Sequence, residues 1–201
     1  MHGLFQSRLP RIVVLASGNG SNFQTIAEKS ISGELGAQIE CLIVDRECFA
    51  LERALKLGIE SHILKKPWYE DFERVTDEIA PDLIVLAGFM RIIPENMVKK
   101  YFPRIVNIHP SLLPAFPGKD GINQAFEYGV KITGITIHFV DSGVDTGPII
   151  FQKAIEVDEK WTLNELEERI HKLEHEHYWR IIRKILYEPY KIEGRKVLWG
   201  V

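Results

Sequence analysis

Cysteine is scarce in this sequence, basic residues are not in excess, and no long apolar run is present. Cys41 and Cys48 are its two cysteines and form no CxxC pair, so we predict neither a disulfide framework nor a thiolate metal site. A formal net charge of -3 disfavours a nucleic-acid partner, because such proteins usually present a basic surface. No apolar run approaches the roughly 20 residues of a membrane span, and the first ten residues lack the apolar core of a signal peptide. We therefore expect a cytoplasmic protein that binds neither a membrane nor a nucleic acid.

Several common nucleotide-binding and hydrolase motifs are also missing. The glycine-rich stretch "SGNGSN" (17–22) is followed by Phe23 where GxGxxG requires its third glycine, and it lacks the GK[ST] of a P-loop. No GxSxG elbow occurs, so a hydrolytic serine is not supported. "HKLEH" (171–175) matches a zinc-protease pattern, but a charged helix produces so short a match by chance. We predict no metal site.

Short β-branched segments alternate with amphipathic ones through the first half of the 201 residues. Strands are predicted at 11–17, 38–44, 61–64, 83–88 and 104–109, with a helix after each of the first four. Such alternation is typical of right-handed βαβ units. The sequence therefore predicts an α/β protein with a doubly wound, mostly parallel sheet.

The second half is patterned differently. A short helix, "GINQAFEYG", precedes two longer strands, "KITGITIHFV" and "GPIIFQKAIEV", for which we predict antiparallel pairing. Thr162 and Glu165 form a capping box for a long final helix that ends near Tyr187. We expect a C-terminal extension of the sheet, a loose N-terminal arm over residues 1–10 and a single domain over 11–201.

Three unusual segments follow predicted strands, namely "SGNGSN", "GFMR" and "NIHPS". Ligands bind beyond the carboxyl ends of parallel strands, so these segments predict one cleft. The glycine-rich turn enters a helix, where free backbone N–H groups favour a phosphate. Gly20 would allow close approach, Ser21 and Asn22 would add side-chain donors, and either of the latter two would cap the helix. The alternative is a tight turn without a ligand.

Asn107 and His109 lie two residues apart on one strand, so their side chains point to the same side. Such a pair could stabilise an oxyanion or serve acid–base chemistry. An acid catalyst needs its protonated form, and a carboxylate such as Asp145 in "DSGVDTGP" would raise the pKa of His109. The alternative is a packed histidine and an asparagine that caps a turn before Pro110.

Two other polar residues are open to two interpretations. Glu174 follows Ile170 by four residues and precedes Tyr178 by four, which places it on an apolar helical stripe. It either meets a buried partner, such as a ligand amine or hydroxyl, or joins a solvated salt bridge at the edge of the stripe. His138 alternates with Thr136 and Val140 on one strand face, and we predict a packed or capped histidine there.

Four stretches together resemble one known family: "IVVLASGNGSNFQTI", "PDLIVLAGFMRII", "IVNIHPSLLPAFPG" and "GITIHFVDSGVDTGPII". They are similar, in collinear order over about residues 11–180, to the folate-dependent glycinamide ribonucleotide formyltransferases of purine biosynthesis. The resemblance implies a Rossmann-like formyltransferase fold. It also implies formyl transfer from the co-substrate 10-formyltetrahydrofolate to the amine of glycinamide ribonucleotide, with no metal, by a monomer or homodimer. The products would be formylglycinamide ribonucleotide and tetrahydrofolate.

The resemblance also implies roles for individual residues. Asn107 would hold the formyl oxygen beside the folate, His109 would donate a proton, and Asp145 would raise the pKa of His109. The loop residues would bind the substrate phosphate, and Glu174 would lie near the same substrate. The substrate-binding set is Gly20, Ser21, Asn22 and Glu174, and the folate-binding set is Met90, Arg91, Ile92, Ile93 and Asn107.

The sequence departs from the family at two places. Many relatives have a longer segment after "SHIL" that includes a basic residue near the folate, and here only Lys65 or Lys66 could substitute, by a different path. Some relatives have a histidine where Asp120 stands, so we assign Asp120 no role.

Two alternative functions share the same core. A 10-formyltetrahydrofolate hydrolase normally adds an N-terminal regulatory domain, and a methionyl-tRNA formyltransferase adds a C-terminal RNA-binding domain. Neither addition is expected within these 201 residues, and a hydrolase needs no phosphate loop.

Overall fold

A computed structural model describes residues 8–200. The first part alternates as predicted: β1 (Arg11–Ala16), α1 (Ser21–Ile31), β2 (Gln38–Val44), α2 (Phe49–Leu57), β3 (Ser61–Ile63), α3 (Trp68–Ile79), β4 (Leu83–Leu86), α4 (Glu95–Tyr101) and β5 (Ile105–His109). The second part contains α5 (Gly121–Tyr128), β6 (Ile132–Phe139), β7 (Ile149–Glu156), α6 (Leu163–Tyr187), β8 (Tyr190–Glu193) and β9 (Lys196–Trp199). None of these helices is long and apolar enough to cross a membrane.

The described strands form one nine-stranded sheet in the order β3-β2-β1-β4-β5-β6-β7-β9-β8. β1 to β5 pair in parallel, whereas β6 is antiparallel to both β5 and β7. The prediction of a mostly parallel sheet with an antiparallel extension is therefore confirmed. The register places Asn107 opposite both Leu86 of β4 and His138 of β6.

Alternate residues of the central strands bury their side chains on opposite faces of the sheet. On one face, Ile12 and Val14 of β1 join a cluster with α1, α2, α5 and α6. On the other face, Val13 and Leu15 pack with α3 and α4. Because both faces of β1 are covered, its sequence is continuously apolar rather than alternating. The doubly wound prediction follows from this pattern and is confirmed.

The structure differs from the predictions at the ends of some elements. Neither Ser21 nor Asn22 caps α1: the N-cap residue is Gly20, in the left-handed conformation (φ 74°), and no side chain caps this helix. The β8–β9 hairpin was not predicted, because its strands are only four residues long. Residues 1–7 of the predicted loose arm lie outside the described residues, while Arg8 is paired with Asp82 through two hydrogen bonds of 2.7 and 3.0 Å.

The capping box at the start of α6 is present, with Thr162 and Glu165 bonded reciprocally, and the helix ends at Tyr187 as predicted. Tyr178 attaches α6 to the sheet at the carboxyl end of β4 and the first half of β5. Its hydroxyl, in a side chain only 1% exposed, donates toward the carbonyl oxygens of Leu86 (2.8 Å) and Val106 (3.2 Å). Glu174 lies one turn earlier on the same helix, so this contact also sets the height of Glu174 above the sheet.

Replacing Tyr178 by Phe is expected to lower the free energy of unfolding by about 1–3 kcal/mol, because the hydroxyl proton that two buried carbonyl groups share is lost. Urea denaturation followed by circular dichroism measures the change. Tyr128→Phe is the matched control, because Tyr128 is 79% exposed, and we expect it to change stability by less than about 0.5 kcal/mol. Equal stabilities of the two variants would contradict this account of α6.

Candidate active site

A cleft of about 540 Å³ opens at the carboxyl ends of the parallel strands. Its walls come from the three segments singled out in the sequence, from the 141–145 part of the β6–β7 loop and from α6. Every predicted site residue lines it: Gly20, Ser21, Asn22, Met90, Arg91, Ile92, Ile93, Asn107, His109, Asp145 and Glu174.

Asn107, His109 and Asp145 meet at the centre of this cleft. The Nδ1 atom of His109 lies 3.3 Å from Oδ2 of Asp145, and Nδ2 of Asn107 lies 3.5 Å from Oδ1 of the same carboxylate. The second contact is long for a hydrogen bond, so this amide N–H remains available to a ligand. The alternative interpretation of Asn107 and His109 as a turn cap and an isolated packed ring does not account for this convergence.

The other nitrogen of His109 faces a backbone carbonyl. Nε2 lies 2.7 Å from the carbonyl oxygen of Phe116, which can only accept, so Nε2 carries a proton. With Asp145 beside Nδ1, the ring is placed between two acceptors, and the doubly protonated imidazolium satisfies both.

Burial opposes that protonation. His109 is 4% exposed, and burial lowers its pKa below the ordinary value, while Asp145 and the Phe116 carbonyl act in the opposite direction. Asp145 thus raises the pKa of His109 relative to an uncharged neighbour, as expected, but the net shift is downward.

His138 belongs to the same centre, which the sequence interpretation missed. It is 2% exposed, as expected of a packed ring, but its Nε2 lies 3.2 Å from Nδ2 of Asn107 and 3.5 Å from Oδ1 of Asp145. Nδ1 lies 2.9 Å from the carbonyl oxygen of Phe139, which can only accept, so Nδ1 carries a proton. Nε2 faces the amide of Asn107 and the carboxylate of Asp145 together. The pairing of β5 with β6, which sets Asn107 opposite His138, was the signal that could have revealed the contact.

The backbone around this centre is strained. Asp145 (φ 53°) and Phe116 (φ 54°) both occupy the left-handed region, which costs a non-glycine residue about 1–2 kcal/mol. Each turn aims one oxygen at His109, the carboxylate in one case and the carbonyl in the other. The Gly118 N–H, 2.7 Å from Oδ2 of Asp145, holds the carboxylate in place.

The glycine-rich loop forms one end of the cleft. Gly20 packs so closely on α2 that an added Cβ would lie 2.6 Å from Cβ of Ala50. With Gly20 as the N-cap residue, the first backbone N–H groups of α1 have no partner within the helix. They favour an anion at this end of the cleft.

Glu174 lies beside this loop and is 5% exposed, so the interpretation as a solvated salt bridge is wrong. Its Oε2 accepts from Nδ2 of Asn22 (2.9 Å) and lies 3.0 Å from Nδ1 of His171. One amide N–H of Asn22 is therefore already used by the protein. The oxygen of the same amide, Oδ1, is buried without a hydrogen-bond partner in the described part of the chain.

A family model described as formyl transferase matches residues 10–182. The chain belongs to this family. Within residues 8–200 no group of histidine, cysteine and carboxylate side chains is arranged to hold a metal ion.

Curated relatives and solved structures agree with the family model. The phosphoribosylglycinamide formyltransferase of Bacillus subtilis is 46% identical over 186 residues, which is 89% of this chain and 95% of the relative. The glycinamide ribonucleotide transformylase 1 of Symbiobacterium toebii superposes with a TM-score of 0.92 at 38% identity, covering 98% of each chain. A formyltetrahydrofolate deformylase of Pseudomonas syringae has a TM-score of 0.90 at 26% identity, with 96% of this chain and 66% of that chain covered.

The other end of the cleft in this formyl transferase is built from the loops after β1, β2 and β4. The Met90 N–H donates to Oγ of Ser17 (2.8 Å), and Nε of Arg91 donates to Oδ2 of Asp45 (2.8 Å). Asp45 is nearly inaccessible and also pairs with Arg46. Burial by itself raises the pKa of Asp45, but hydrogen bonds from Arg46, Ser17 and Arg91 lower it to about 2.

The residues of the predicted folate-binding segment differ in exposure. Met90 (55% exposed) and Ile92 (69%) present apolar surface at the cleft, whereas Ile93 (5%) packs into the core below α4. Lys65 and Lys66 are exposed and are not among the lining residues.

Replacing Gly20 by Ala is expected to lower the free energy of unfolding by about 2–4 kcal/mol, because the new methyl group meets Ala50 and the backbone stays left-handed. Chemical denaturation measures the loss. Gly18→Ala in the same loop is the control, since its added Cβ would have no atom within 4 Å. If both variants were equally stable, the close contact between this loop and α2 would be refuted.

Proposed function

We propose that this chain transfers a formyl group from 10-formyltetrahydrofolate to the primary amine of glycinamide ribonucleotide. The products are formylglycinamide ribonucleotide and tetrahydrofolate, as in de novo purine biosynthesis. The observation that carries the proposal is that one cleft contains both an anion-binding loop and the convergence of Asn107, His109 and Asp145. Relatives named for this activity support it.

The glycine-rich loop binds the acceptor. The backbone N–H groups of Gly20, Ser21 and Asn22 receive its phosphate, and the dipole of α1 stabilises the negative charge. Glu174, whose carboxylate is already fixed by Asn22 and His171, accepts a hydrogen bond from the acceptor. This leaves the amine directed toward the centre of the cleft.

The donor occupies the other end. Met90 and Ile92 supply the exposed apolar surface that borders the flat ring system, together with Arg91, Ile93 and Asn107. The folate ring then lies between the 88–93 segment and the reaction centre. No metal is needed to polarise the formyl group, because protein donors are already aimed at the position of its oxygen.

The reaction forms one C–N bond and breaks another. The acceptor amine attacks the formyl carbon, and the oxygen gains negative charge, which the free amide N–H of Asn107 and the positive ring of His109 stabilise. The bond from the formyl carbon to the folate nitrogen then breaks as His109 donates its proton to that nitrogen. His109 gives up its bond to Phe116 when it donates. The proton lost by the amine passes through water to Asp145.

His138 acts on Asn107. With the ring neutral and its proton on Nδ1, Nε2 can accept from the amide but not donate to it, and so holds the NH₂ group inward. A flipped amide would present an oxygen to the developing oxyanion and raise its energy. His138 is therefore a positioning residue for the formyl oxygen.

A formyltetrahydrofolate hydrolase is the second candidate, because the same fold occurs in a formyltetrahydrofolate deformylase. The acceptor of a hydrolase is water, which has no phosphate, so a hydrolase would not need an anion-binding loop at Gly20. The transferase accounts for both ends of the cleft, and we favour it.

We also propose that residues 11–201 form a single catalytic domain that works in the cytoplasm. The continuous sheet supports one domain, because β5 and β6 pair directly across the middle of the chain. A monomer and a homodimer are both compatible with the cleft, which is built from one chain.

Consumption of 10-formyltetrahydrofolate by the purified protein is expected to depend strictly on glycinamide ribonucleotide, with one formylated product formed for each donor consumed. Absorbance follows the donor, and chromatography with mass spectrometry identifies the product. Equal consumption with and without the ribonucleotide would reject the transferase in favour of the hydrolase.

Replacing Asp145 by Asn is expected to reduce kcat by about a hundredfold or more, because His109 loses its charged partner and the amine loses its proton acceptor. Since Asp145 raises the pKa of His109, the substitution lowers that pKa. The protonated ring then persists only at lower pH, and the falling limb of the pH–kcat profile moves to lower pH.

Asparagine also tolerates the left-handed backbone of residue 145, so donor affinity is expected to change little. Fluorescence titration with tetrahydrofolate measures that affinity. The control is Asp77→Asn, whose half-exposed carboxylate pairs with Lys100 on the opposite side of the sheet. A D145N enzyme with unchanged kcat would remove Asp145 from the mechanism.

A further inference from the structure

Arg53 of α2 makes a dense set of contacts with the glycine-rich loop although it does not line the cleft. Its Nε donates to the backbone oxygen of Asn19 (2.7 Å), and Nη2 donates to Oδ1 of the same residue (2.5 Å). Nη1 donates to Oε1 of Gln24 in α1. The guanidinium also lies over the Phe49 ring, 4.8 Å from its centroid. One side chain thus joins α2, the loop and α1.

These contacts determine which way the loop directs its N–H groups. In a trans peptide, the C=O and the following N–H point in opposite directions. Because Arg53 draws the Asn19 carbonyl toward α2, the N–H of Gly20 in the same peptide points away from α2, toward the cleft.

The preceding peptide is held in the same way. The Ala50 N–H, at the start of α2, donates to the carbonyl oxygen of Gly18 (3.1 Å). The N–H in the same peptide as the Gly18 carbonyl belongs to Asn19, and it is likewise directed away from α2. Two successive peptides therefore present N–H groups to the anion end of the cleft, and α2 supplies both of the donors that fix them.

We propose that Arg53 is a positioning residue for the acceptor phosphate, because it fixes the peptide orientation of the glycine-rich loop from the side away from the cleft. This inference rests on the proposed function, in which the loop binds that phosphate. Arg53 does not contact the phosphate. It holds the carbonyl oxygen that would otherwise be free to turn toward the anion and repel it, and its positive charge adds to the attraction of the helix N-terminus.

Lys56 provides a matched control on the same helix. It is exposed, and its ammonium lies near the same Phe49 ring, 5.9 Å from the centroid, but it makes no hydrogen bond to the loop in the described structure. Arg53→Met and Lys56→Met each remove one positive charge from α2 and retain an unbranched side chain. Only the first removes the donors to Asn19 and Gln24.

The test compares two acceptors, glycinamide ribonucleotide and its nucleoside, which lacks the phosphate. With the ribonucleotide, R53M is expected to raise the acceptor KM about tenfold or more, since charge-assisted hydrogen bonds fix the loop. Its kcat and donor KM are expected to stay near the wild-type values. R53K, which retains one donor group, should fall between R53M and the wild type, and K56M should match the wild type. With the nucleoside, R53M and the wild type should be equally efficient.

The outcomes separate this inference from the function on which it rests. If the wild type prefers the ribonucleotide but R53M loses no acceptor affinity, the role of Arg53 is overturned and the phosphate loop stands. If R53M loses as much catalytic efficiency with the nucleoside as with the ribonucleotide, Arg53 has a general structural role and the inference is again overturned. If the wild type uses both acceptors equally, the phosphate assignment fails and the inference fails with it.

Discussion

The carboxylate of Asp145 is withdrawn from water where strands β5 and β6 and two irregular loops meet, and the reaction centre depends on how it is compensated. Burial by itself raises the pKa of this carboxyl, but neighbouring groups lower it overall: first His138, then the Gly118 N–H and the His109 ring. The ionised form persists because each neighbour offers a donor or a positive charge. That need explains why His109 and Asn107 converge on it, and why the backbone accepts a left-handed residue at this position. A buried charge with fewer partners would be costly, so the same contacts that stabilise the carboxylate also fix the positions of His109 and Asn107.

The two ends of the cleft are also held by contacts between groups that belong to different elements. Each end places a polar or charged group of one element against a loop of another: Arg53 against the glycine-rich loop, Glu174 against Asn22, and Asp45 against Arg91. The loops project from rigid parallel strands, but their own backbones make few ladder bonds. Side chains from neighbouring elements therefore restrict them before any substrate arrives. Such preorganisation reduces the entropy lost on binding and keeps donors aimed at the transition state.

Local pattern predicted most of the fold. β1 and α3 were predictable because each is continuous in sequence and its apolar period matches its structure. Gly20 was expected to allow close approach of a phosphate. That it is the N-cap residue of α1 and packs against Ala50 was not predicted, because both depend on the packing of α2. The β8–β9 hairpin escaped prediction because four-residue strands are too short to show a period, and they pair at the edge of a sheet built by the rest of the chain.

The sequence by itself determined the order of strands and helices, the three loops beyond the strand ends and the chemical type of the candidate residues. These features are local, because periodicity, glycine and proline positions and residue chemistry can be read along the chain. Only the tertiary structure decided that His138 contacts Asn107, that Glu174 is buried against Asn22 and that Arg53 bonds to the glycine-rich loop. The residues in these three contacts are separated by 31, 152 and 34 positions, respectively. Contacts at such separations depend on strand order and helix packing, which no local pattern specifies.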